Sequence, residues 1–249
     1  MRWNLIWLIS FFGVVETQAQ KSDFKNSLGM LFVTVPNTEV YFSVYETSVK
    51  DYQVFVKETK RTVKKPSFKQ NGNHAAVNVS WEDAKAFCYW LTAKERKEKI
   101  ISAKQYYRLP NDKEWSLASG IKGAADEFSF EDNLDFEYPW GKEWPPPPDA
   151  GNYSPDLFVD NYSHTSPVGS FKPNKLGIYD LGGNVWEWCE DIFNQSPDYR
   201  ILRGASWRMR LPNDLLLTNK IGNRPDLRLS VYGFRIVLTK DKKEEDALQ

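Results

Sequence analysis

Cysteine and histidine are scarce in this chain: its 249 residues carry two of each. The two cysteines, Cys88 and Cys189, permit at most one bridge, which excludes a disulfide framework. The two histidines, His74 and His164, exclude three-histidine ligation of a metal, and their spacing does not fit a two-histidine, one-carboxylate site. No zinc spacing, Gly-rich phosphate loop or Ser-His-Asp arrangement stands out. Excess charge is missing too. Lys plus Arg and Asp plus Glu number 33 each, so no global field draws the protein to nucleic acid or an anionic membrane. The apolar run near the N-terminus holds about a dozen residues, fewer than the roughly 20 a spanning helix needs.

What the chain does have is aromatic. Phe, Trp and Tyr make up 15% of it, including ten tryptophans. Such side chains bury large areas and need a partner for each indole N–H, which favours irregular, hydrogen-bonded loops around the core. The start, "MRWNLIWLISFFGVVETQAQ", sets Arg2 before the apolar run and ends in a small-x-small pattern. That predicts a secretory signal peptide over residues 1–19, cleaved after Ala19, and a secreted or periplasmic protein. An uncleaved anchor is the alternative. One domain is then expected over residues 20–240, with a disordered tail over 241–249.

"LGMLFVTVP" and "EVYFSVYE" read as strands. "TSVKDYQVFVKETK" switches to helical spacing, with Thr47 or Ser48 as N-cap, and a second helix runs from Ser80 to about Glu98. "KRTVKKPSFKQNGNHA" is basic and turn-rich, most simply a solvated loop, and both histidines read as solvated surface residues. "YRLPNDKEWSLAS" predicts a turn at Pro110 and a short helix burying Trp115 and Leu117. From Phe128 to Phe171 no regular period survives, and bound metal ions are a natural means of holding such a stretch. "YGFRIVLT" reads as one closing strand. Cys88 and Cys189 read as free structural thiols, since nothing around them suggests the electropositive, exposed setting that reactivity requires.

Eight motifs follow in order: "YETSVKDYQVFV", "VNVSWEDAKAFCYWL", "YRLPNDKEW", "YPWG", "GNY", "PVGSFKPNKLGIYDLGGNVWEWCED", "LRGASW" and "YGFR". Together, from about Gly29 to Leu238, they resemble the formylglycine-generating-enzyme (sulfatase-modifying factor) family. The resemblance implies an α+β fold, the family's variant of the C-type-lectin-like fold, with little regular secondary structure. It also implies structural calcium. One ligand set falls on Asn152, Tyr153, Asp160 and Tyr162, the tyrosines serving through their carbonyls; a second falls on Asp180, Gly183, Val185 and Glu187. Calcium takes six to eight hard oxygens, which suits acids flanking glycine-containing turns. The alternative is that Asp180 and Glu187 only cap turns and accept backbone N–H groups.

In family members that oxidise a sulfatase cysteine, two cysteines after the "RGGSW"-type motif hold copper. Here those positions are Met209 and Asp214. A thioether and a carboxylate cannot reproduce a paired-thiolate site for Cu(I), so copper and the oxidase reaction are not expected. Relatives also often pair a cysteine at the position of Cys88 with one just after "GFR", where this chain has Ile236. The expectation is a pseudoenzyme: a calcium-stabilised module that binds a protein segment or a glycan, with precedent in relatives that serve bacterial gliding and secretion machinery. Its ligand cleft would comprise Trp186, Arg203, Ser206, Trp207, Arg208, Met209, Arg210 and Asp214, because aromatic and Arg side chains dominate interface energetics. Trp186 and Ser206 have a plain alternative as core or turn elements. A formylglycine-generating oxidase with an atypical site is the competing reading.

Overall fold

A computed structural model describes residues 22–121 and 137–240. The expected signal peptide, the C-terminal tail and residues 128–136 of the irregular stretch lie outside them. Strands β1 (Phe24–Lys25), β2 (Leu31–Thr34) and β3 (Val40–Ser43) form an antiparallel meander. The chain then enters α1 (Val49–Thr59), whose N-cap is Ser48. Its hydroxyl accepts from the Asp51 N–H while the Asp51 carboxylate accepts from the Ser48 N–H, two otherwise orphaned donors satisfied reciprocally. The same box recurs at Ser80 and Asp83 for α2 (Trp81–Lys97). Aspartate does here what the more usual Glu or Gln would do.

After β4 (Tyr107–Arg108), α3 (Asp112–Ser119) starts from a third capping box, between Asn111 and Glu114. Trp115 is buried as expected, but Leu117 is only half-buried, because α3 turns Trp115 and Ala118 inward instead. Strands β5 (Trp186–Phe193) and β6 (Ser196–Arg203) make a long hairpin, followed by β7 (Lys220–Asn223), β8 (Tyr232–Gly233) and β9 (Val237–Thr239). Two sheets result, ordered β1-β2-β3-β9-β4 and β7-β6-β5-β8. No described helix is long and apolar enough to cross a membrane.

The expected single closing strand is instead two. β8 runs parallel to β5 in the second sheet, and β9 lies antiparallel between β3 and β4 in the first. Between them Arg235 turns inward with no exposed surface. Its Nε and Nη2 donate to the two oxygens of Glu187, each at 2.7 Å, and Nη2 also donates to Tyr179 O at 2.8 Å. Nη1 reaches Ser43 O at 3.2 Å. Glu187 accepts a further bond at 2.8 Å from the Trp115 indole. The crossover between sheets is therefore fixed by a bidentate ion pair with its remaining donors satisfied.

Around this pair lies an aromatic core. Phe87 packs edge-on against Phe55 at 5.6 Å and against Phe234 at 5.4 Å, joining α1, α2 and the crossover in the edge-to-face geometry aromatic pairs prefer. Cys88 and Ile236 share this cluster, so the position without a cysteine partner is filled by an aliphatic side chain. Both cysteines are free and buried, and burial pushes each thiol well above its ordinary value, as expected of inert structural residues.

Removing one member of the Arg235–Glu187 pair strands a charge where water cannot reach. Glu187→Gln should lower the unfolding free energy by about 3–5 kcal/mol, read from urea midpoints. Arg235→Lys should be nearly as damaging, since an ammonium cannot span the same acceptors. A loss below about 1 kcal/mol in both would mean that the pair is as weak as a solvated one.

Candidate functional site

An open cleft of about 530 Å³ lies between the turn Ser154–Asp156 and the segment Trp207–Leu211, with Asp214 and Val231 completing its lining. One wall is a short 3-10 turn, Pro155–Leu157, capped by the Ser154 hydroxyl. The other follows β6 through a sharp turn in which Gly204 has φ 93° and Ala205 φ 65°. The walls are tied by the Ser154 N–H donating to Met209 O at 3.0 Å and by an Arg210–Asp156 ion pair. Trp207 is held from two sides: its N–H donates to Asn184 O at 2.9 Å, and its indole donates to Ser230 O at 3.1 Å.

Of the expected cleft residues, Trp207, Arg208, Met209, Arg210 and Asp214 line this cavity. Trp186, Arg203 and Ser206 do not, being 3%, 2% and 0% exposed. Trp186 packs in the main core cluster. Arg203 points away from the cleft, where its guanidinium donates to Thr218 O, Asn219 O and Ser116 Oγ and lies 3.2 Å from Asp112. It also sits over the Trp115 ring at 4.7 Å. Arg203 is thus an internal tie between α3 and β6, and the positive charge of the cleft comes from Arg208 and Arg210. Ser154, Pro155 and Asp156 belong to the cleft without having been expected there; the "SPD" after "GNY" was a turn signal with no reason to be paired with residue 209.

His164 differs from its expected setting. Its ring stacks on Phe68 at 4.2 Å and leans on Trp207 at 4.7 Å, so it is half-buried in an aromatic group beside the cleft. His74 is half-buried as well, with Nδ1 3.2 Å from Thr165 Oγ1, and burial lowers its pKa. Sequence distance hid both contacts.

The first expected calcium set is drawn together by one carboxylate. Asp160 accepts from the Tyr153 N–H at 3.1 Å and from the Tyr162 N–H at 2.7 Å. Asn152, only 1% exposed, spends its amide donors on His164 O and Asn184 Oδ1, while its Oδ1 has no donor among the described residues. A buried acceptor without a donor is rare in native proteins. Burial also raises the Asp160 carboxyl, with Asp149 adding to the effect. These residues fit a hard cation. The second set is arranged differently. Both Glu187 oxygens are committed to Arg235 and Trp115, and Asp180 accepts from the Gly169 N–H at 2.6 Å. A guanidinium already supplies positive charge there.

Beside that pair sit two further buried acids. Glu46 accepts from the Asn184 amide and the Val185 N–H. Desolvation, reinforced by Asp180 and Glu187, holds its carboxyl well above the usual range. Desolvation pushes Asp180 up to about 6, against the lowering effects of the Gly169 N–H and Arg235.

Helices combined with two small sheets, tied to each other across the Arg235–Glu187 pair, make an α+β fold of the kind formylglycine-generating enzymes have. The chain belongs to that family: the model for the sulfatase-modifying factor enzyme 1-like domain matches residues 17–240. It is 33% identical over 182 residues to a mouse protein named inactive C-alpha-formylglycine-generating enzyme 2, covering 68% of this chain and 51% of that protein. It is also 33% identical over 145 residues to a formylglycine-generating enzyme of Thermomonospora curvata, covering 52% of this chain and 39% of the enzyme. The chain therefore spans about half the length, or less, of these curated relatives. PvdO from Pseudomonas aeruginosa superposes with a TM-score of 0.61 at 24% identity over 80% of each chain, a likeness of fold alone.

The raised Asp180 carboxyl sets a sign for the pH dependence. Between about pH 4 and pH 6 the folded protein keeps a proton that the unfolded chain releases, so this group's contribution to stability is lost as pH rises through that window. In chelator-containing buffer, Asp180→Asn should gain in urea midpoint relative to the unsubstituted protein as pH goes from about 4 to 6. A difference that is flat or runs the other way would show Asp180 ionised in the fold.

Proposed function

We propose that this chain is a member of the family that does not generate formylglycine and that binds a protein segment or glycan in the cleft between residues 154–156 and 207–214. The observation that carries the reading is the cleft lining. At the two positions where oxidising relatives hold copper, the cavity presents Met209 and Asp214, one soft thioether and one hard carboxylate. Cys88 and Cys189 are both fully buried in the core. The resemblance places copper between two cysteines in the oxidising relatives, and a Cu(I) site of that kind needs two soft ligands side by side. The similarity to a relative named inactive agrees with this, while the similarity to formylglycine-generating enzymes keeps the oxidase as the outcome to test against.

Structural calcium at Asn152, Tyr153, Asp160 and Tyr162 belongs to the same proposal. Asn152, through its orphaned Oδ1, and Asp160 would help hold the ion, which would supply positive charge beside the turn that becomes one wall of the cleft. Export through the N-terminal segment would place the protein where calcium is plentiful.

Copper-loaded protein incubated with a cysteine-containing sulfatase peptide should leave the peptide mass unchanged. Accumulation of the aldehyde product, lost in Met209→Ala or in Cys189→Ser, would restore the oxidase. Calcium in large excess over its dissociation constant should raise the thermal midpoint by roughly 5–10 °C, and Asn152→Ala should abolish that gain. An Asn152→Ala protein that responds like the unsubstituted one would place any calcium elsewhere.

A further inference from the structure

The chain has no net charge, yet its charges are not evenly spread. From residue 60 to residue 69 it carries Lys60, Arg61, Lys64, Lys65 and Lys69, and no acidic residue occurs between Glu58 and Glu82. Arg61 lies 3.7 Å from Asp83, whereas Lys64, Lys65 and Lys69 are exposed and have no carboxylate partner among the described residues. This run is anchored at both ends. Lys60 caps α1, and Gln70 donates to Ala75 O at 2.8 Å and to Thr165 Oγ1 at 2.9 Å.

Its place relative to the cleft is fixed by Phe68. That ring stacks on His164 and meets the Trp207 ring edge-on, with centroids 5.7 Å apart. Trp207 lines the cleft. Lys69 is the next residue after Phe68, and Lys65 lies three residues before it, within about 11 Å of chain. The basic run is thereby tethered to the aromatic group that borders the cleft. The Arg208 guanidinium sits 5.7 Å from the centroid of the same Trp207 ring, exposed and with no carboxylate partner among the described residues. Arg210 is already paired with Asp156, and Asp214 is the acid left inside the cleft. Lys64, Lys65, Lys69 and Arg208 together outweigh it.

Exposed apolar groups lie on the cleft wall and close to it in the chain. Leu211, in the cleft wall, is 58% exposed, and Phe158, two residues beyond Asp156, is 89% exposed with φ 55°. A large aromatic side chain held outward from a left-handed backbone is unusual in a solvated surface. Cations interleaved with exposed apolar groups match a protein segment better than a sugar chain.

We infer that the cleft and its basic rim take an acidic protein segment that also carries apolar side chains, with Lys64, Lys65, Lys69 and Arg208 reading the carboxylates and Trp207, Leu211 and Phe158 taking the apolar groups. This rests on the cleft being a binding site, as proposed above, and adds the chemistry of its partner.

The test is fluorescence anisotropy of the full chain with three labelled probes: a peptide alternating Glu and Leu, its Gln-for-Glu counterpart, and a sulfated heparin oligosaccharide. The Glu peptide should bind, and its Gln counterpart should bind about tenfold more weakly or worse. Binding of the Glu peptide should weaken with added salt, and also in Arg208→Gln and in Lys64→Gln/Lys65→Gln/Lys69→Gln; these exposed positions leave the fold intact, checked by circular dichroism. Equal binding of the Glu and Gln peptides overturns the inference, as does a Glu peptide weaker than about 1 mM. Binding of the sulfated probe without the Glu peptide also overturns it and assigns the rim to polysaccharide. Trp207→Ala and Leu211→Ala separate the two levels. If they weaken the Glu peptide while the charge variants do not, the cleft stands and its proposed partner falls. If they have no effect, the cleft reading itself falls.

Discussion

Arg235 and Glu187 are sealed from water, and most of what distinguishes this fold is arranged to make that tolerable. Isolated, either charge would be too expensive to bury. Together, with Tyr179 O, Ser43 O and the Trp115 indole as further partners, they form a closed network. The partners come from β3, α3, β5 and the loop at residue 179, so the network is available only once all four are in place. It joins the two sheets as the aromatic cluster joins the helices. The aromatic cluster supplies the greater stabilisation, because a buried ion pair is at best a small net gain. The contribution of the pair is to make the crossover between β8 and β9 the arrangement that leaves no charge unpaired.

The same pair decides how the glycine-rich turn before β5 is to be understood. From residue types alone, Asp180 and Glu187 flanking Gly183 are as good a calcium loop as an aspartate-capped turn. The guanidinium gives that loop a cation of its own, donating to both Glu187 oxygens, while burial raises the neighbouring carboxyls of Glu46 and Asp180. The first set has no such cation among the described residues. There an amide oxygen is left without a donor beside a carboxylate whose own bonds are backbone N–H groups. Similar residue patterns thus sit in opposite electrostatic settings, and only the position of Arg235, about fifty residues further along the chain, tells them apart.

What was legible in the sequence follows the range of the forces involved. Capping boxes act over three residues, so Ser48, Ser80 and Asn111 could be read as helix starts or near them. The ordered motifs carried the fold, because together they constrain far more than any one local propensity. Arg203 was misplaced because its partners lie at residues 112, 116, 218 and 219, and nothing near "RGASW" announces them. The closing strand was split by a side chain that had to turn inward, and Phe68 was hidden in a run whose composition is that of a solvated loop. In each case a non-local contact overrode a correct local inference.

Fold and chemistry separate most clearly at the cleft. The backbone that would present two thiolates is intact: the turn at Gly204 and Ala205 is formed, Met209 is tied to Ser154, and Asp214 reaches the same cavity. Nothing in that scaffold depends on sulfur, because the ties are main-chain hydrogen bonds and an exposed ion pair. On the proposed reading, Met209 and Asp214 in place of thiolates would remove a reaction while leaving the surrounding geometry in place. Trp207 is fixed there by two hydrogen bonds, with the Arg208 guanidinium beside its ring. Rigid aromatic area bordered by unpaired charge is what gives an interface both affinity and orientation. On that reading a cleft without paired thiolates would keep the physical means to select a partner, and selection would fall to the side chains around it.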